Sequence, residues 1–192
     1  MNPFAQAVIL TASTLRMMPH IALYLLHRRQ IDADLEKYSS DGRGLGAFIK
    51  VCTRQRVFRN LFYYRMGEYR SVFIKWLLPP EPTLNIWCPQ IGPGCHFEHN
   101  YATYLNAERI GSDFYCLQLV TLGNDTQMRR PVIGNHVSIY TGAVVFGGIT
   151  IGDNVTIGAN CVIRKDVPAN CTVVGNPAVI VRKDGMKTHI EL

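Results

Sequence analysis

The chain has 192 residues, a formal net charge of +6 and a 47% share of hydrophobic residues. This size fits one domain, or one domain with a small cap, and the composition with its 16 glycines suits a globular repeat protein. Six cysteines occur without a CxxC pair or Cys/His ligand spacing, which argues against metal binding and disulfide pairing and for reduced, structural cysteines in a cytoplasmic protein.

Residues 4–26 carry one charge, Arg16, and Pro19 and His20 interrupt the run. Its uncharged stretches are shorter than the ~18–20 residues needed to cross a bilayer. No basic residue precedes it, so a signal peptide is also a poor reading, and one or two packing helices are expected. Residues 43–75 are basic: Arg43, Lys50, Arg54, Arg56, Arg59, Arg65, Arg70 and Lys75 stand against Glu68, with Phe48, Phe58, Phe62, Tyr63, Tyr64, Tyr69 and Phe73 interleaved. This pattern predicts an amphipathic helical pair whose aromatics pack on the second half of the chain and whose arginines face water. The sharper alternative is peripheral membrane contact through 43–75, or a surface for phosphate-bearing glycans. Nucleic acid is disfavoured, because no RNA or DNA module accompanies the charge. Pro79, Pro80 and Pro82 mark a hinge between a helical segment at 1–84 and a second domain at 85–192.

The second domain keeps time in sixes. Aliphatic residues fall at Ile133, Ile139, Val145, Ile151, Ile157 and Ile163, each followed four residues later by a second apolar position: Val137, Ala143, Ile149, Val155, Cys161 and Val167. Neither an amphipathic helix nor a hairpin keeps that period, whereas a hexapeptide-repeat parallel β-helix does. The frame extends upstream through Ile110, Cys116 and Leu122, with Phe114 and Val120 as inner partners. An earlier pair of units joins Ile91 with Cys95 and Phe97 with Tyr101, and one extra residue follows His99. The polar stretch GNDTQMRRPV after Leu122 reads as a loop thrown out of the coil, and Val173–Ala178 reads as the end of the coil. His189 then lies in a short tail that nothing locates.

In such a coil the apolar positions point inward and stack in ladders. The Gly-Asp-Asn and Gly-Ala-Asn stretches are expected at corners, where Gly and Asn tolerate left-handed backbone angles. A coil packed with aliphatics has no internal pocket. Chemistry therefore belongs on the outside, between coils of neighbouring subunits or at inserted loops. Phe97 points inward, so Glu98 and His99 fall at the next corner and face outward. His136 reads as a surface corner residue, and His96 as an outward strand residue.

The stretches IGPGCHFEHNYATYLNAERIG, CLQLVTLGN, RRPVIG and GANCVIRKDVPANCTVVGNPAVIV together resemble the serine acetyltransferase group of hexapeptide acyltransferases. The likeness is strongest to short members linked to polysaccharide O-acetylation. It covers roughly the last 105 residues, with a weaker echo in FRNLFYYRMG. The resemblance implies a left-handed parallel β-helix, although parallel crossovers are otherwise right-handed. It also implies acetyl-CoA as co-substrate and a homotrimer, paired further through the N-terminal helices.

By the same resemblance, His99 is the general base and Glu98 stands where the family has Asp. An imidazole suits removal of an acceptor hydroxyl proton near neutral pH. Arg129 matches the arginine that meets the acceptor's carboxylate, and Arg130 replaces the family's second histidine; together they are the candidate acceptor-binding pair. The family's ring-orienting aspartate corresponds to Leu84, with Asn85 the nearest polar residue. Donor contacts fall on Thr141, Gly142 and Ala143, on Gly147 and Gly148, and on Ala159 and Asn160, with Arg164 and Lys165 nearest the phosphates. The implied reaction is acetyl transfer to the hydroxyl of serine or, slightly preferred, of a sugar or polysaccharide precursor. The rival is a non-catalytic hexapeptide scaffold or small-ligand binding module. An acyl-carrying Cys161 is disfavoured by its inner position.

Overall fold

A computed structural model describes residues 3–192, with side chains from residue 15 onward. The chain divides into two compact units, Met1–Pro80 and Glu81–Leu192.

The first unit is helical: α1 (Pro3–Leu26), α2 (Arg28–Tyr38), α3 (Leu45–Arg54), α4 (Arg56–Met66) and the short α5 (Glu68–Ser71). Pro19 does not break α1, which runs through it as one helix. Proline removes one backbone hydrogen bond, but Met17, His20 and Tyr24 are all buried across that point and hold the helix to the core. No helix among the described residues is long and apolar enough to cross a membrane. Gly44 (φ 108°) precedes α3 and Gly67 (φ 77°) follows α4, both angles that L side chains rarely adopt. The core is aromatic. Tyr24 stacks on Phe48 at 4.4 Å, Phe48 meets Phe62 at 5.2 Å, and Phe62 meets Tyr63 at 5.6 Å. The aromatics of 43–75 thus split: Phe48, Phe58, Phe62 and Tyr63 are buried inside this unit, whereas Tyr69 and Phe73 are exposed.

The second unit is a left-handed parallel β-helix. One sheet stacks β1 (Leu84–Ile86), β3 (Thr103–Leu105), β6 (Thr121–Gly123), β9 (Val144–Phe146) and β12 (Val162–Ile163). A second stacks β4 (Arg109–Ile110), β7 (Val132–Ile133) and β10 (Thr150–Ile151). The third holds β2 (His96–Phe97), β5 (Tyr115–Cys116), β8 (Ser138–Ile139), β11 (Thr156–Ile157) and β13 (Cys171–Val174). Three hexapeptides complete one coil, so every third aliphatic of the sequence ladder meets its like. Leu105, Leu122, Val145 and Ile163 form one column, and Phe97, Cys116, Ile139, Ile157 and Val173 another. All nine are buried, as the frame requires.

Three details differ from the expectation. The glycines of the Ile-Gly pairs do not supply left-handed corners. A Cβ on Gly111 would stand 2.4 Å from Gly134 O, and one on Gly152 would stand 2.5 Å from Ala169 N. Glycine is required there because successive coils touch backbone to backbone. The positive φ falls two residues later, on Asp113, His136, Asn154 and Asn160. Tyr101 is not an inner residue: it is half exposed, while Asn100 and Thr103 turn inward. Phe97 to Tyr104 takes seven steps where Cys116 to Thr121 takes five, so two extra residues shift the frame at this corner. The tail is also ordered. β14 (Val179–Lys183) and β15 (Met186–Glu191) add antiparallel strands to the third sheet, and His189 lies in β15.

Candidate active site

The register assembles one edge of the prism. The inward column Phe97, Cys116, Ile139, Ile157 leads on each coil into one corner. His99 and Asn100 are the extra residues there, followed by Tyr101, whose carbonyl accepts from Leu119 N. Gln118, Thr141 and Ala159 occupy the same corner on the next coils. Strands stack about 4.8 Å apart, so His99 and Thr141 stand on the order of 10 Å apart along the axis. The candidate base and two of the candidate donor contacts therefore share one edge.

His99 takes φ 54°, a left-handed corner for a residue without the freedom of glycine. Its side chain is 73% exposed. The neighbouring Asn100 is fully buried and donates from Nδ2 to Leu117 O (3.1 Å) and Cys116 Sγ (2.9 Å), which pins the corner from inside. An outward imidazole on a backbone anchored from below is the consequence. Glu98 Oε1 lies 3.7 Å from His99 Nε2. That is an ion-pair distance and longer than a hydrogen bond.

The other carboxylate oxygen of Glu98 is taken. Tyr115, paired beside His96 in the next coil, donates from its hydroxyl to Glu98 Oε2 at 2.6 Å. Burial, then the hydrogen-bonded carboxylate, push the Tyr115 phenol well above its ordinary pKa, so it remains a donor. The rings of His96 (5.5 Å) and Tyr140 (6.1 Å) flank it. Tyr115 was not legible as a site residue. The available signal was its outward position just before Cys116, opposite the strand that leads into Glu98.

The loop between β6 and β7 carries Arg129 and Arg130, and both guanidinium groups are engaged. Arg129 donates from Nε to Asp125 Oδ2 at 2.7 Å, and its terminal nitrogen meets the same oxygen at 2.7 Å. Asp125 Oδ1 also accepts from the backbone N–H groups of Gln127 (2.9 Å) and Arg129 (3.0 Å). Desolvation raises the Asp125 carboxyl, but these donors outweigh it and hold the group below the usual carboxylate range. Arg130 donates to Glu108 Oε2 at 2.7 Å. Asp125 and Glu108 are thus further residues that shape the loop.

The candidate donor residues fall into three places. Gly142 (φ 72°) leaves room for Asn160, whose Oδ1 would lie 2.3 Å from a Cβ there, and Asn160 N donates to Thr141 O at 2.9 Å. Gly147 and Gly148 sit beneath the arginine loop: a Cβ on Gly148 would stand 2.8 Å from Arg129 Cβ. Arg164 lies over the Phe146 ring at 5.3 Å. Arg164 and Lys165 also line a cleft of about 350 Å³ with Val162, Asn176, Pro177, Ala178 and Leu192. Ala143 is fully buried in the coil, so only its backbone faces the edge. Cys161 is likewise buried, and desolvation pushes its thiol up to about 11, which argues against a nucleophilic thiolate.

A model of the bacterial transferase hexapeptide family (six repeats) matches residues 130–165. The serine acetyltransferase of Synechococcus elongatus is 39% identical over 103 residues, covering 51% of this chain and 42% of that protein. The chain spans about half the length of the curated relatives it matches. Among solved structures, the serine acetyltransferase of Neisseria gonorrhoeae superimposes with a TM-score of 0.65 at 26% identity, over 84% of this chain and 68% of that one. A serine acetyltransferase in complex with CoA shares the fold, with a TM-score of 0.61 at 24% identity over 83% of this chain and 73% of that one.

Proposed function

Starting from a β-helix that is serine acetyltransferase-like in sequence and fold, we propose that the chain transfers an acetyl group from acetyl-CoA to an acceptor hydroxyl. The observation that carries the reading is His99, held outward on a left-handed corner at the edge that also bears Gln118, Thr141 and Ala159. The His99 imidazole takes the hydroxyl proton as the acceptor oxygen attacks the thioester carbonyl. Backbone N–H groups at the edge stabilise the tetrahedral oxyanion. Collapse breaks the carbon–sulfur bond, the departing thiolate takes the proton from the imidazolium, and an ester and free CoA result. Glu98 faces Nε2 and attracts the imidazolium once it forms, while Tyr115 keeps the carboxylate turned toward the ring. The donor lies along the edge through Thr141, Gly142, Ala159 and Asn160, with its phosphates near Arg164 and Lys165. Trimerisation supplies the second wall of the groove.

Serine is the acceptor supported by the relatives. A sugar hydroxyl is supported by the loop: Arg129 already holds Asp125, and Arg130 holds Glu108. An amino-acid carboxylate would therefore share each guanidinium with an acidic residue already bound to it. Acetyl addition read by mass spectrometry across serine, monosaccharides and oligosaccharides decides between them. Absence of acceptor-dependent thiol release from the wild type across that panel would leave only a binding scaffold.

A further inference from the structure

The charge of the chain sits in one unit. Twelve of the twenty Lys and Arg residues but five of the fourteen Asp and Glu residues lie in 1–80, which gives that unit a formal +7 and the β-helical unit −1. The same unit exposes large apolar rings. Tyr69 is 94% exposed, Phe73 78% and Trp76 75%, and Val72 is half exposed beside them. The backbone keeps helical bonds beyond α5, with Lys75 N bonded to Ser71 O at 3.0 Å and Leu78 N to Ile74 O at 3.4 Å. Residues 69, 73 and 76 therefore share one face, while Ser71, Ile74 and Leu78 turn to the core. The segment is apolar on both faces, and the outer one is aromatic.

Next to this face, Trp76 and Leu77 line an open cleft with Leu15 and Arg16. Arg16, whose Nε donates to the Leu77 carbonyl, and Arg56 both act on Arg59 as like charges. Burial first, then the neighbouring cations, lower the Arg59 pKa, and no carboxylate is among the groups acting on it. Arg59 is almost fully buried, and its Nε has no hydrogen-bond partner. A unit of formal +7 with exposed arginines beside exposed rings is the complement of a surface with negative headgroups over an apolar interior.

We propose that the Tyr69–Phe73–Trp76 face docks the helical unit onto an anionic lipid bilayer, with the Arg16 cleft taking the headgroups. The rings enter the interface, and the exposed Arg16, Arg56 and Arg70 stay at the level of the phosphates. Docking is interfacial, since no described helix is able to span. The proposal does not depend on the chemistry of the β-helix.

Co-sedimentation of the full chain with vesicles tests it, using phosphatidylcholine alone and phosphatidylcholine with about one third phosphatidylglycerol. The expected result is sedimentation with the anionic vesicles only, weakened by raised salt. Phe73→Ser/Trp76→Ser should bind at least about tenfold more weakly with an unchanged melting curve. Tyr69→Ser, at a ring almost wholly in solvent, gives a weaker loss in the same direction and serves if the double variant fails to fold. Failure of the wild type to bind anionic vesicles overturns the proposal, as does equal binding by wild type and Tyr69→Ser. A wild type that ignores lipid but loses a subunit contact in Phe73→Ser/Trp76→Ser, read by light scattering, assigns the face to a second copy and also overturns it.

Discussion

The two units solve burial in opposite ways. The β-helix buries small aliphatics in columns and leaves its polar groups on corners, where one coil's side chain caps the next: Ser112 N donates to Asn135 Oδ1, and Asn135 N to Asp153 Oδ1. The helical unit buries large rings and takes polar groups inside with them. Asp34 and Arg65 pair at 2.8 Å and 3.0 Å with almost no exposure, Tyr24 donates to Asp32, and His20 bonds Tyr63. A repeating core tolerates chemistry only on its surface. An irregular one carries titratable groups whose charge state is part of its stability.

That contrast can be broken at its most exposed point first. His99→Ala should reduce acetyl transfer by about 10²–10⁴-fold without altering the melting curve, because the ring contributes to no core; turnover assays and a thermal melt read both. A large loss of stability in that variant would mean the corner, and not the base, had been removed. Arg65→Met should unfold the helical unit more readily by roughly 3–5 kcal/mol, because it removes the two-pronged cationic partner of a buried Asp34 carboxylate. Urea denaturation followed by helical circular dichroism measures it.

Acid should separate the units next. Burial, with Arg59 and Arg16 nearby, lowers the His20 pKa to about 4. Its folded-state value thus lies below the ordinary unfolded value of about 6.5, so the unfolded chain binds the proton first. Stability is full above the unfolded pKa and falls as pH drops from about 6.5 toward 4, by roughly 3 kcal/mol at most. His20→Gln should flatten that dependence in denaturation curves at pH 7 and pH 5. The smallest effect belongs to the coil. Gly152→Ala forces a Cβ against the Ala169 backbone, and a loss of about 1–3 kcal/mol is expected on thermal melting.

Legibility followed the same division. The period of six located the columns, the outward His99 and the buried cysteines, because each coil repeats the same constraint. It misassigned the Ile-Gly glycines, since spacing reveals that a small residue is wanted but not whether φ or contact demands it. It took Tyr101 as inner, because two extra residues at this corner let Asn100 fill the coil instead. Tyr115 holding Glu98, Asp125 holding Arg129 and Glu108 holding Arg130 join residues 4 to 22 positions apart through stacking and loop return, which a linear motif does not encode. In the helical unit the mixture of rings and arginines at 43–75 fixed neither which rings turn inward nor that Asp34 and His20 would be buried.

The reversal of direction after β13 has a consequence for the molecule's behaviour in crowded solution. A stack of parallel coils ends in a row of unpaired backbone groups, the template from which open-ended fibres grow. Here β14 and β15 run against the grain, with β15 carrying Lys187 on the outermost strand. On the third sheet a second prism finds antiparallel strands in place of a parallel edge, whereas the first and second sheets still end in the parallel strands β12 and β10.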